Sequence, residues 1–105
     1  MTTFDERERE FEARFKHDQE LRFKVTARRN RLAGLWAAER MGLAGEEASA
    51  YAKSIVDAEF HGGDGHVIEK LVADLAAKGA SCTEAQVKSE LDRLAATAKQ
   101  QLIAE

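Results

Sequence analysis

A chain of 105 residues holds one domain at most, with a core at the small end of what folds alone. It has no proline, seven glycines and many Ala, Glu, Lys, Arg and Leu, which points to an all-helical protein. The single cysteine, Cys82, excludes an internal disulfide, and the net charge of −3 argues neither for nor against nucleic acid.

The distribution of charge says more than its sum. Residues 21–40 carry Arg22, Lys24, Arg28, Arg29, Arg31 and Arg40 against one acid, Glu39, while the remainder is acidic. The start of the chain is charged from Asp5 onward, so no signal peptide is expected. No apolar run approaches the ~20 residues that span a bilayer.

The pattern predicts one long helix from the start to about Met41. Thr3-x-x-Glu6 reads as a capping box, with Asp5 and Glu6 in the first turn where the helix dipole favours them. Acids precede bases by four residues at Asp5/Arg9, Glu10/Arg14, Glu12/Lys16, Asp18/Arg22 and Glu20/Lys24. Each such pair supports a solvated helix by ~0.2–0.5 kcal/mol. Leu21, Val25, Leu32, Leu35 and Trp36 share one stripe. Phe4, Phe11 and Phe15 share another, rotated from it by roughly 90° at ~100° per residue. The two halves therefore face different surfaces.

Gly42 and Gly45 bracket a turn, with Gly42 in the C′ position. A second helix is predicted from about Glu46 to Phe60, burying Ala48, Tyr51, Ala52, Ile55, Val56 and Phe60. HGGDG (61–65) is expected to end it, with Asp64 capping a third helix to Ala77. Ser81 and Thr83 offer competing capping boxes for a fourth, whose stripe is Val87, Leu91, Leu94, Ala98 and Leu102. The expectation is an all-α four-helix bundle. Its first helix, roughly 57 Å long at 1.5 Å per residue, is too long for the others to cover. The surplus, residues 1–18, is expected to overhang and to be flexible when free, and residues 19–105 to form the bundle domain.

Three features could carry chemistry. Phe4, Phe11 and Phe15 either anchor a helix in a partner's groove or fold back into the protein's own core. Arg28, Arg29 and Arg31 either hold phosphate or pair internally with Asp57, Glu59 or Asp74; without interleaved aromatics they make a poor nucleic-acid footprint. His61, Asp64 and His66 match no metal spacing, and a glycine-rich turn explains them better. No nucleophile–base set can be placed, so a non-enzyme is expected.

At MTTFDERERE, FKHD (15–18), Phe23-Lys24 and ARRNRLAGLWAA (27–38), the sequence resembles the zeta-type inhibitor subunit of the alphaproteobacterial F1-ATPase. A looser likeness continues through AYA (50–52), KLVADL (70–75) and AATAKQQLI (95–103). The resemblance implies an inhibitor that inserts an N-terminal segment at a catalytic α/β interface of F1, near the γ stalk. There it blocks rotation in the hydrolysis direction and affects synthesis much less. It implies Thr2, Thr3, Phe4, Asp5, Arg7, Glu8, Arg9, Phe11, Glu12, Phe15 and Lys16 as partner-contacting residues. The partners would be the α, β and γ subunits of F1, with no nucleic acid and no direct membrane contact. The free protein would be monomeric and cytoplasmic, reaching the membrane only through F1Fo-ATP synthase. The alternative is a small nucleotide-binding regulatory bundle. It would use Arg28, Arg29 and Arg31 for weak ATP or ADP binding; no other cofactor and no metal are expected.

Overall fold

In a computed structural model, which describes residues 3–105, the chain forms α1 (Thr3–Phe15), α2 (Gln19–Arg40), α3 (Gly45–Ala77) and α4 (Glu84–Ala104). The described residues contain no strand. The all-α class is as expected, but the four elements are not the four expected: the first expected helix is divided, and the second and third are joined across a kink.

The predicted first helix is two helices. Its break lies at residues 16–18, where the N–H groups of His17 and Asp18 both donate to the Arg14 carbonyl, at 3.1 and 2.8 Å. Asp18 is extended, and its Oδ1 accepts from the Leu21 N–H at 3.1 Å, which caps α2. That bond, helped by Arg14 and opposed by burial, holds the Asp18 carboxyl below its ordinary value. The physical reason for the break is the rotated aromatic stripe. A straight helix cannot place both stripes on one bundle, whereas a break lets α1 turn back against α2 and α4. The expected overhang, from Thr3 onward, is therefore seated on the bundle in this structure.

The second difference is at HGGDG. Gly45–Ala77 is two helical segments joined end to end, and the expected interruption is there but shrinks to one residue, Gly63, where φ is 69° and ψ is −160°. Only glycine adopts that conformation without strain. Asp64 is inside the helix and is not an N-cap. Packing shortens the break without removing it: Ile55 and Ala58 before the kink, and Val67, Leu71 and Leu75 after it, enter one core.

That core is completed by Ala33 and Ala37 of α2 and by Val87, Leu91 and Leu94 of α4. α2 is the central element and touches each of the other helices. At Gly34 it comes so near α3 that an added Cβ would lie 2.5 Å from the Ala52 Cα. A smaller cluster joins Phe11 of α1 to Leu21, Val25, Ala98 and Ile103. Phe60, expected inside, is 65% exposed and packs on Phe23, itself 51% exposed, with ring centroids 5.5 Å apart.

The helix ends follow the sequence more closely. Gly42 is C′ of α2: its N–H donates to the Glu39 carbonyl at 3.1 Å and that of Leu43 to Ala38 at 2.8 Å. Thr83 wins over Ser81 as the cap of α4, exchanging bonds of 3.0 and 2.8 Å with Gln86. Thr3 is already helical, so the capping position of α1 lies outside the described residues.

Candidate functional site

α1 presents two edges. Its aromatic edge runs from Phe4, 39% exposed, to Phe11, 8% exposed, and the half-buried Phe15. The rings of Phe11 and Phe15 stack at 6.3 Å. Its charged edge carries Asp5, Glu8, Arg9, Glu12 and Lys16 along a shallow surface depression. Asp5 and Arg9 are both engaged in interactions. Thr3 is exposed; Thr2 lies outside the described residues.

The bundle holds α1 by four means. Phe11 enters the small cluster, and full burial of such a ring is worth ~1.5–3 kcal/mol. The Lys99 ammonium stands 4.0 Å from the Phe15 ring centroid and 3.7 Å from the Glu12 carboxylate. Arg22 covers the same ring at 5.8 Å. Arg7 Nη2 donates to the main-chain carbonyl of Glu105 at 2.7 Å. Two of the expected i,i+4 partners are thereby replaced: Glu12 meets Lys99, and Asp18 meets Arg14 at 3.4 Å. Glu20 and Lys24 pair as expected, at 3.8 Å.

The three arginines of the basic segment diverge. Arg29 turns inward, its Nη2 donating to Glu59 at 3.0 Å and to Asp64 at 2.7 Å. It also donates to the Oδ1 of Asn30, which is fully buried. Asn30 Nδ2 donates to Glu59 at 2.8 Å, so two carboxylates, an amide and a guanidinium close one network at the α3 kink. Burial, aided by nearby Asp64, raises the Glu59 carboxyl above its ordinary value against the pull of Asn30 and Arg29. The Arg29 guanidinium holds Asp64 below its own. Pairing with Glu59 was legible in the sequence. Asp74 instead holds Lys70 at 2.9 Å and Tyr51 Oη at 2.8 Å; burial, then Asp74, push that phenol far above its usual range.

Arg28 pairs with the Glu105 carboxylate, and Arg31 is exposed. Both line a groove of about 820 Å³ with Arg14 and Lys24 on its rim and Phe11, Leu21, Leu32 and Leu102 beneath. The structure thus brings Arg28 and Arg31 together and takes Arg29 away to the kink.

The described residues contain no group of three or more His, Cys, Asp or Glu side chains placed to hold a metal. The His61 ring bonds the Asp57 carbonyl at 2.9 Å. No helix among the described residues is long and apolar enough to cross a membrane.

Sequence reasoning missed Lys99, Ile103 and Glu105 as the seat of α1. Lys99 and Ile103 are four residues apart and share a second face of α4, off the Val87–Leu102 stripe, and Ile103 rather than Leu102 is the buried residue at that end. It also missed the exposed Phe23–Phe60 pair, because a 3.6-residue period does not say where a buried face ends.

No curated relative matches the chain. A protein solved by solution NMR is similar at 42% identity, covering 80% of this chain and 96% of its own, with a TM-score of 0.70. The family described as ATPase inhibitor subunit zeta matches residues 1–101. That match takes in α1, the turn at 16–18, the basic segment and nearly all of α4, and on it the chain belongs to the ATPase inhibitor subunit zeta family.

Proposed function

We propose that this protein inhibits ATP hydrolysis by F1Fo-ATP synthase, without catalytic activity of its own, by inserting residues 1–18 at a catalytic α/β interface of F1 beside the γ subunit. Residues 19–105 are the domain that carries this segment. The observation that supports the reading, beside the family, is the two-edged form of α1. A slender helix with aromatic anchors on one edge and charges on the other is what a closing cleft can grip. Phe4, Phe11 and Phe15 are the anchors; Arg7, Glu8, Arg9, Glu12 and Lys16 set register, with Thr2, Thr3 and Asp5 at the leading end. The block is directional if the moving interface grips the helix in one rotation sense and ejects it in the other. The segment exchanges between its seat on the bundle and a flexible, unseated form, since a seated helix cannot enter a cleft. The protein works in the cytoplasm, attached to the membrane through its enzyme.

Phe4 gives the cleanest test. It is exposed and lies outside both buried clusters, so Phe4→Ala leaves the bundle intact. Loss of an anchor typically costs ~2 kcal/mol or more, about 30-fold in affinity. Phe4→Ala should weaken inhibition of F1 hydrolysis by that order while the unfolding midpoint stays put. Unchanged potency contradicts the anchor role.

A second reading draws on the groove. Lys24, Arg28 and Arg31 on its rim suit the phosphates of ATP or ADP, bound weakly. Titration with either nucleotide should then shift the amides of residues 24–31; shifts elsewhere, or none, remove this reading.

A further inference from the structure

The residues that the proposed mechanism presents to F1 are the ones the bundle occupies. Phe11 lies among Leu21, Val25, Ala98 and Ile103. Phe15 and Glu12 share Lys99, and Arg7 reaches the Glu105 carbonyl. One side chain cannot fill two sites, so seating and insertion exclude each other.

We propose that the α2/α4 cleft is an internal receptor for the inhibitory segment, competing with F1 for it, and that Lys99 is the residue that sets the strength of this competition. The proposal rests on the insertion reading above and adds the surface that opposes it. A protein whose competent form has a fraction f binds with an apparent dissociation constant raised by 1/f. Residues of α4 that never meet F1 therefore control potency through f. Two features make the seat easy to open. α1 meets the bundle along a narrow strip, unlike α2, which packs against three helices. Its polar attachments, from Arg7, Glu12 and Lys99, lie in solvent or only partly out of it. Segments held so lightly open well below the free energy of global unfolding. Lys99 is central because one ammonium holds two α1 side chains, a ring face and a carboxylate.

The sign is opposite to that of an ordinary loss-of-contact mutation. Lys99→Glu sets a like charge against Glu12 and removes the cation from the Phe15 ring. It should release α1 and make the protein a faster inhibitor. The test uses full-length wild type, Lys99→Glu and Lys99→Glu/Ile103→Ser. Backbone 15N heteronuclear NOEs across residues 4–15 read the seat; amides of α3 report that the bundle is intact. The rate of onset of F1 hydrolysis inhibition reads the competition. The expected result is a fall in the α1 NOEs, an onset about 5–10-fold faster and half-inhibition at correspondingly lower concentration, as f rises, with the same inhibition at saturation. An α1 that stays ordered in both variants overturns the proposal, as does released α1 with no faster onset. If instead no form of the protein, wild type included, inhibits F1 while the variants still release α1, the insertion reading fails and the cleft stands as the segment's receptor.

Discussion

Asn30 is fully buried, and its amide donates to the Glu59 carboxylate across the α2–α3 interface at 2.8 Å. The same amide's oxygen accepts twice from Arg29, so the wholly buried polar side chain is satisfied on both sides. Among the described residues no buried side-chain polar atom lacks a partner. Asn30→Ala would leave Glu59 and Arg29 each short of a partner. Leaving such groups unsatisfied costs ~1–3 kcal/mol, and urea unfolding should show that loss. A loss under a few tenths would mean that water replaces the amide.

The Glu59–Asp64 pair makes a pH prediction with two signs. Glu59 is raised above 4.5 in the fold, so its contribution to stability is present below that value and lost as pH rises through the folded value. Asp64 is lowered below 3.8, so its contribution is present above 3.8 and lost as pH falls through the folded value. Wild type should therefore lose stability relative to Glu59→Gln as pH rises from about 4.5. Its advantage over Asp64→Asn should shrink as pH falls below about 3.8. Denaturant midpoints measured from pH 3 to 8 separate the two trends. A flat difference for either variant shows that its carboxyl is not shifted.

Two glycine-to-alanine changes should act in opposite directions. At Gly34 the new methyl would meet the α3 backbone at Ala52, and α2 and α3 must separate. Overpacking of this kind costs ~1–3 kcal/mol. At Gly65, inside α3, an added Cβ meets nothing within 4 Å. There the gain in helix propensity should stabilise by ~0.5–1 kcal/mol. Thermal unfolding of both variants distinguishes the two; a stabilised Gly34→Ala would show that the helices have room to spare.

These contrasts show what the sequence made legible. Apolar spacing located the helical regions but not the break at 16–18, and capping chemistry located the end at Gly42 and narrowed the start of α4 to Ser81 or Thr83, because both signals are local. The Asp18 cap was present in the sequence but was outweighed by unbroken helix propensity on either side. HGGDG located a real break but overstated its length. Its glycines tolerate a turn, yet the shared core of Ile55 and Leu71 needs only one non-helical residue, Gly63. The aromatic stripe of α1 was visible, as was its rotation from the stripe of α2. That Lys99 and Ile103 receive it depends on the path of α4, which no local pattern encodes.

On the proposed mechanism, residues 1–18 act on F1 and the rest carries them. The most direct measurement is a titration of F1-ATPase hydrolysis with the intact chain and with a chain starting at residue 19, each checked by circular dichroism. The intact chain should inhibit saturably. The shortened chain should keep its helical signal and leave hydrolysis untouched. Equal inhibition by the two, with both folded, would contradict it.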